Sequence, residues 1–309
     1  MNTTILITGG AGNVGSALAN KLAEDKNNLI VIIDNLSTGN ISKVPVRENV
    51  KFIKANVNHY NDIVPIFGRY NFDYVFHYAA LVGVKRTLEN PMKVLDDIEG
   101  IKNILSLSKN SGVKRVFYSS SSEVYGEPFE IPQNEKTTPL NSRLPYAIVK
   151  NVGEAFFKSY YQEYGLEYNI FRFFNTYGPN QSEDFVVTRF VKAALKNEPI
   201  YLYGDGLQTR SFCYVSDNID ACIKVMNEFT CINDVINIGS DKEMTILDLA
   251  KKIIAISNSS SQIIHLDPLE EGDMTRRCPD TTKMKKILGR DLISLEEGIT
   301  KLINHYENR

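Results

Sequence analysis

Tyr146 and Lys150 in the stretch PYAIVK could between them move a proton. Four residues apart, they share one face of a helix. A positive charge beside a phenol stabilises the phenolate and lowers its pKa. A tyrosinate poised towards neutral pH can take the proton of a sugar hydroxyl while hydride leaves the same carbon. Alone, the spacing is equally that of a solvated helix face. Upstream lies SSSSEVYG, from Ser119 to Gly126, where four hydroxyls and a carboxylate follow the apolar run RVFY. A turn made of small residues would look like this, and so would a row of hydroxyls held against a substrate. Glu123 either caps the next turn or takes part in the chemistry.

A second pattern offers a place for a cofactor. Gly9, Gly12 and Gly15 in TGGAGNVG have the GxxGxxG spacing. Such glycines allow a tight turn, close approach of the backbone to a pyrophosphate, and close packing of helix on strand. The helix N-terminus then offers amides and a positive dipole end to phosphate. A plain tight turn has the same pattern. Asp34 ends the following strand, where an acid binds the adenosine ribose hydroxyls and disfavours a phosphorylated ribose. NAD is therefore expected rather than NADP.

These residues need a scaffold, and the first half of the chain supplies an alternation. TILITG, LIVIID, KFIKANV, YVFHYAA, RVFYSSSS and YNIFRFFN are expected as strands. SALANKLAED, KVLDDIEGIKNILSLSKNSG and PYAIVKNVGEAFFKSYYQEYG are expected as helices. Alternation of this kind implies α/β architecture: a Rossmann-like, doubly wound parallel sheet with helices on both faces. After Asn175 turn-rich pieces such as YGPNQSED and YGDGLQTR separate shorter elements, which predicts a smaller C-terminal α/β lobe. The expected division is 1–174 for the dinucleotide domain, with a returning segment near 212–235, and 175–309 for a substrate lobe.

Bulk properties exclude several classes. The chain has 309 residues, 43% hydrophobic and 23% charged, with a formal net charge of -2. No basic field invites nucleic acid or an anionic membrane. No apolar run reaches the length of a membrane span, and MNTTILITGG does not have the plan of a signal peptide. The four cysteines lack CxxC spacing, which suggests reduced thiols in a cytoplasmic protein. Four scattered histidines form no metal-ligand pattern.

Taken together, TGGAGNVG, HYAA at 77–80, SSSSEVYG, YAIVK, RFFNTYGP, GDGLQTRSFCYV and GDMTRRCPD resemble the extended short-chain dehydrogenases/reductases that act as nucleotide-sugar epimerases, dehydratases and decarboxylases. The resemblance covers nearly the whole chain. It implies that Ser121, four positions before the Tyr of the VYG triplet, hydrogen-bonds the oxygen on sugar carbon 4. Tyr146 would be the general base, and Lys150 would hold the nicotinamide ribose. Gly9, Gly12, Asn13, Val14, Gly15, Asp34, Asn35, Asn56 and Ala79 would hold NAD together with Lys150. Lys85, Asn175, Arg210 and Arg276 or Arg277 would hold a UDP- or GDP-linked sugar. A homodimer through two helices per subunit is also implied.

The chain departs from the family pattern in four places. Asn13 stands where an aromatic residue is frequent. Asn56 replaces an acid that touches adenine. Asp97 and Ile101 replace the Asn and Thr of an NxxGT motif. The fourth departure is Glu123, and it bears on the reaction. All members first oxidise carbon 4 to a ketone. A 4-epimerase then returns hydride to the other face and needs no further acid. A 4,6-dehydratase typically has Asp just before the Glu, where this chain has Ser122. A nucleotide-glucuronate decarboxylase matches the hydroxyl-Ser-Glu row. The loop from Leu81 to Thr87 resembles the epimerase loop more. The expectation is a 4-epimerase, with the decarboxylase and a stand-alone 4-dehydrogenase as alternatives and the dehydratase last. A non-catalytic NAD(H) sensor on the same fold is disfavoured, because Ser121, Tyr146 and Lys150 are all kept.

Overall fold

A computed structural model describes residues 3–228, 231–268 and 276–308, with Val84 and Lys85 described by their backbone only. The chain begins β1 (Thr3–Thr8), α1 (Asn13–Leu22), β2 (Asn28–Asp34), β3 (Val50–Lys54), α2 (Tyr60–Arg69) and β4 (Tyr74–His77). Then come α3 (Val84–Glu89), α4 (Pro91–Leu95), α5 (Asp97–Asn110), β5 (Arg115–Ser121), α6 (Pro145–Tyr164) and β6 (Glu167–Phe173). The rest is built from β7 (Thr176–Tyr177), α7 (Val186–Leu195), β8 (Ile200–Tyr203), β9 (Thr209–Ser211), β10 (Cys213–Tyr214), α8 (Val215–Asn227) and β11 (Asp234–Ile238). It closes with β12 (Glu243–Thr245), α9 (Ile246–Ile256), β13 (Ile263–Leu266), β14 (Arg276–Arg277), α10 (Thr282–Leu288) and α11 (Leu295–Glu307).

Seven parallel strands make the central sheet, in the order β11-β6-β5-β4-β1-β2-β3. This is the doubly wound, Rossmann-like arrangement that the alternation implied. Side chains alternate between its two faces. Ile5, Ile7, Ile30 and Ile32 enter one core, with Leu18 of α1 and Ile219 of α8. Leu6, Val31 and Ile33 enter the other, with Ile63 of α2, Ile104 of α5 and Phe157 of α6. Both faces are covered, which is why the strands are continuous apolar runs rather than alternating ones. Each such side chain, fully buried, contributes about 1.5–3 kcal/mol.

The seventh strand, β11, reaches the sheet only after the chain has built β7 to β10 and returned through α8. The remaining short strands form three small sheets, β10-β7, β12-β9-β14 and β13-β8. The helix expected over KVLDDIEGIKNILSLSKNSG is two helices: α4 ends at Leu95 and α5 starts at Asp97. Asn90, just before Pro91, has φ -130 and ψ 56, outside the helical region that a following proline disfavours.

α6 begins with Pro145 in its first turn and stops at Gly165, which adopts the left-handed conformation at φ 70. Both are favoured punctuation, since Pro needs no amide partner at a helix start and Gly has no Cβ to clash at a helix end. Among the described residues no helix is long and apolar enough to cross a membrane.

Candidate active site

One cavity of about 640 Å³ runs along the carboxyl ends of the central strands. Its first end is the glycine turn. Gly9 takes φ +69, and a Cβ there would stand 2.7 Å from the Ala79 nitrogen. A Cβ on Gly15 would stand 2.4 Å from the Gly9 carbonyl oxygen. The turn thus packs as closely as the sequence required. α1 follows with Gly12 as its N-cap, no side chain capping it and no acid in its first turn. Its amide end therefore faces the cavity uncovered by side chains, as an anion site needs. Asp34 accepts from the Ala11 amide at 3.0 Å and the Leu36 amide at 2.8 Å, which fixes its carboxylate at the end of β2.

Gly9, Gly12, Asn13, Val14, Gly15, Asp34, Asn35, Asn56 and Ala79 all line this end. The Asn13 side-chain oxygen is buried with no hydrogen-bond partner. A Cβ-free cradle, an uncapped helix end, a fixed carboxylate and an unsatisfied amide oxygen fit a dinucleotide such as NAD.

The other end is built on β5 and α6. α6 approaches β5 so closely that a Cβ on Gly153 would stand 2.2 Å from the Tyr118 hydroxyl. Across this contact the Ser121 hydroxyl comes near enough to the Tyr146 phenol to favour its phenolate. The Lys150 ammonium donates to the Ser119 carbonyl at 2.6 Å and lies 5.8 Å from the Tyr146 ring centre. Ser121 also caps the 3-10 turn Ser122–Tyr125, accepting from the Glu123 amide at 3.2 Å. The Glu123 side chain is thereby released from capping, and its carboxylate pairs with Arg277 at 2.7 Å. Its other oxygen is buried without a partner.

Lys150 stands 5.8 Å from the Tyr146 ring centre, and other groups dominate the electrostatics of this phenol without the cofactor. Protein crowds the phenol, and this burial pushes its pKa well up; the Glu123 carboxylate adds to the rise. Ser121 and Arg277 are the groups that pull it down. Lys150 is itself pushed down to about 8 by burial, against the opposing charge of Asp97. The lysine ammonium is held on the β5 backbone by the Ser119 carbonyl.

Asp97 explains its own departure from the family pattern. Its carboxylate accepts from the Leu81 amide at 2.7 Å and from the Asn58 side chain at 3.3 Å, and so straps the cavity loop to α5. Burial raises its pKa.

Of the expected substrate contacts, Asn175 and Arg277 line the cavity. Asn175 is anchored by donating to the Ser211 carbonyl at 2.9 Å. Arg276 does not face the cavity. Neighbours on a strand point to opposite sides, and Arg276 is half exposed in a two-point ion pair with Glu243. Arg210 is buried on β9, where it donates to the Thr209 carbonyl at 2.7 Å, and it too lies off the cavity. The side chain of Lys85 lies outside the described residues, as do positions 272–275 of GDMTRRCPD. One contact and one residue of the site had no signal in the sequence. The pairing of Arg277 with Glu123 joins distant segments, and Asn58 gave no hint of its bond to Asp97.

A model of the NAD dependent epimerase/dehydratase family matches residues 5–239. UDP-glucuronic acid decarboxylase 1 of Danio rerio is 36% identical over 98% of this chain and 72% of its own length. UDP-N-acetyl-alpha-D-glucosaminuronate decarboxylase of Bacillus cytotoxicus is 35% identical over 99% of this chain and 98% of its own. The crystal structure of Thermotoga maritima UDP-glucose 4-epimerase with UDP-glucose superposes with a TM-score of 0.93 at 31% identity, covering 99% of each chain.

Proposed function

The chain belongs to the NAD dependent epimerase/dehydratase family, and from that premise we propose that it oxidises carbon 4 of a UDP-linked sugar and returns the hydride to the opposite face, as a nucleotide-sugar 4-epimerase. The observation that carries this reading is that Ser121, Tyr146 and Lys150 line the same cavity as the dinucleotide cradle. NAD, when bound, accepts and gives back the hydride. Tyr146 takes the proton of the carbon 4 hydroxyl, and Ser121 orients that oxygen. Lys150 anchors the β5 backbone through the Ser119 carbonyl and would hold the nicotinamide ribose. Gly9, Gly12, Asn13, Val14, Gly15, Asp34, Asn35, Asn56 and Ala79 hold the dinucleotide, and Asn175 and Arg277 hold the substrate. UDP is favoured over GDP because the relatives and the solved structure described above carry UDP in their names.

A second reading, the decarboxylase, is favoured by one observation. Arg277 lines the cavity and would bind a sugar carboxylate there, sharing its charge with Glu123. A stand-alone dehydrogenase needs no different residue. A 4,6-dehydratase lacks its acid at Ser122. Residues 1–174, completed by the return through α8 and β11, are proposed to hold NAD, and the remainder to hold the sugar nucleotide. A cytoplasmic homodimer is part of the same proposal. The test is incubation of the purified enzyme with a panel of nucleotide sugars, with products identified by mass and NMR. Unchanged mass with inverted carbon 4 supports the epimerase. Loss of carbon dioxide, of water or of two hydrogens replaces it with a rival.

A further inference from the structure

The helix that carries the candidate base meets the serine row at three rungs. Tyr146, Lys150 and Glu154 recur every four residues and so share one face of α6. Tyr146 meets Ser121, and Lys150 meets Ser119. The Glu154 carboxylate accepts from the Ser120 hydroxyl at 2.7 Å. The third rung has no part in proton or hydride transfer, since Glu154 is 1% exposed and lies off the cavity.

A carboxylate buried this deeply is costly unless it is paired and hydrogen-bonded. Arg172 of β6 pairs with it at two points, Nε at 2.8 Å and Nη2 at 2.6 Å. The third guanidinium nitrogen donates to the Tyr125 hydroxyl at 2.8 Å, and that hydroxyl donates to Asn237 of β11 at 2.8 Å. Tyr125 closes the turn that carries Glu123. One polar network thus ties β5, α6, β6, β11 and the Glu123 turn together. Packing alone would be served by apolar residues of similar volume. A charged, fork-shaped pair adds direction, because a bidentate arginine donates to its carboxylate in one plane only.

We propose that Glu154, held by Arg172, is a positioning residue: through Ser120 it fixes the spacing and rotation of α6 on β5, and so sets the Ser121 hydroxyl against the Tyr146 phenol. The proposal rests on the reading of Tyr146 as the base. Supporting groups of this kind decide whether a site is held to the tolerance chemistry needs.

The test uses the full-length protein with NAD. Ser120→Ala removes one hydroxyl and leaves the Glu154–Arg172 pair intact, so the variant is expected to fold. Its kcat is expected to fall about ten-fold, with KM and NAD affinity within about two-fold of wild type. A second measurement needs no turnover. With tyrosine isotope-labelled at Cζ, and Tyr146→Phe to assign the resonance, the Tyr146 Cζ shift is expected to move in Ser120→Ala as the Ser121 contact loosens. The same shift is expected in Glu154→Gln wherever that variant folds. An unmoved Tyr146 resonance in folded Ser120→Ala protein overturns the proposal, whatever happens to turnover. If the wild type converts no nucleotide sugar, the assigned reaction fails, and the Tyr146 resonance still decides the positioning role.

Discussion

Replacing Gly153 by Ala probes the contact that brings the phenol to the serine. Ala is the better helix residue, by about 1 kcal/mol in a helix interior. Propensity alone therefore expects a more stable protein. The packing opposes it. The new Cβ would stand 2.2 Å from the Tyr118 hydroxyl oxygen and 2.4 Å from the ring carbon bearing it. Ordinary contact begins at 3.4 Å, so the gap must open by about 1.2 Å. Tyr118 cannot give way, because it is 1% exposed and stacked on Phe157 at 4.8 Å and on His77 at 6.0 Å. α6 must move instead, and it carries Tyr146 and Lys150. Overpacking costs about 1–3 kcal/mol, which leaves a net loss of up to about 2 kcal/mol. A displacement near 1 Å at reacting groups costs about 100-fold in rate. The expected signature is a modest fall in urea midpoint with a fall of about 100-fold in kcat, measured on the same preparation. A folded Gly153→Ala protein of wild-type kcat would show that the close approach of α6 does not set the chemistry.

Tyr146→Phe should lower turnover by at least about 100-fold, the share of a general base, while leaving NAD affinity unchanged in a binding titration. His77 Nδ1 shares a hydrogen bond with the Thr8 hydroxyl at 2.9 Å, and the imidazole is pushed down to about 3 by burial, with the Lys150 charge adding to it. Its folded pKa lies below its unfolded value, so the unfolded chain takes up the proton first and stability is lost as pH falls from about 6.5 towards 3. By about pH 5 the loss is about 2 kcal/mol relative to pH 7, and urea unfolding of His77→Gln should lack that share of the pH dependence. Arg277→Met strands the Glu123 carboxylate and should cost about 3 kcal/mol with a raised KM for the sugar nucleotide. Arg276→Ala breaks only a half-exposed pair and should stay within about 1 kcal/mol with KM unchanged.

The sheet was legible because its strands are buried on both faces, so Ile5 to Ile7 and Ile30 to Ile33 form unbroken apolar runs. The cradle was legible because a tight turn between strand and helix demands glycine. Other parts had no local signal. α2 contains Pro65 within it, which weakens the helical pattern. β7, β10 and β14 are two residues each and are held by partners rather than by propensity. The place of β11 beside β6 depends on a crossover that periodicity does not encode. Glu123 illustrates the limit most directly. Its type and position were plain, but its partner in the site is Arg277, which topology alone brings to it. Helical spacing placed Tyr146 and Lys150 on one face but could not tell that Lys150 also donates to the Ser119 carbonyl.

The most direct measurement follows the hydrogen on carbon 4. A UDP-sugar deuterated at carbon 4 is converted in a single turnover while NADH absorbance is recorded. A transient of enzyme-bound NADH, slowed by the deuterium, and a product of inverted configuration that keeps the deuterium at carbon 4 are expected. Deuterium lost to solvent, or inversion with no NADH transient, would contradict hydride transfer between carbon 4 and the cofactor held in this cavity.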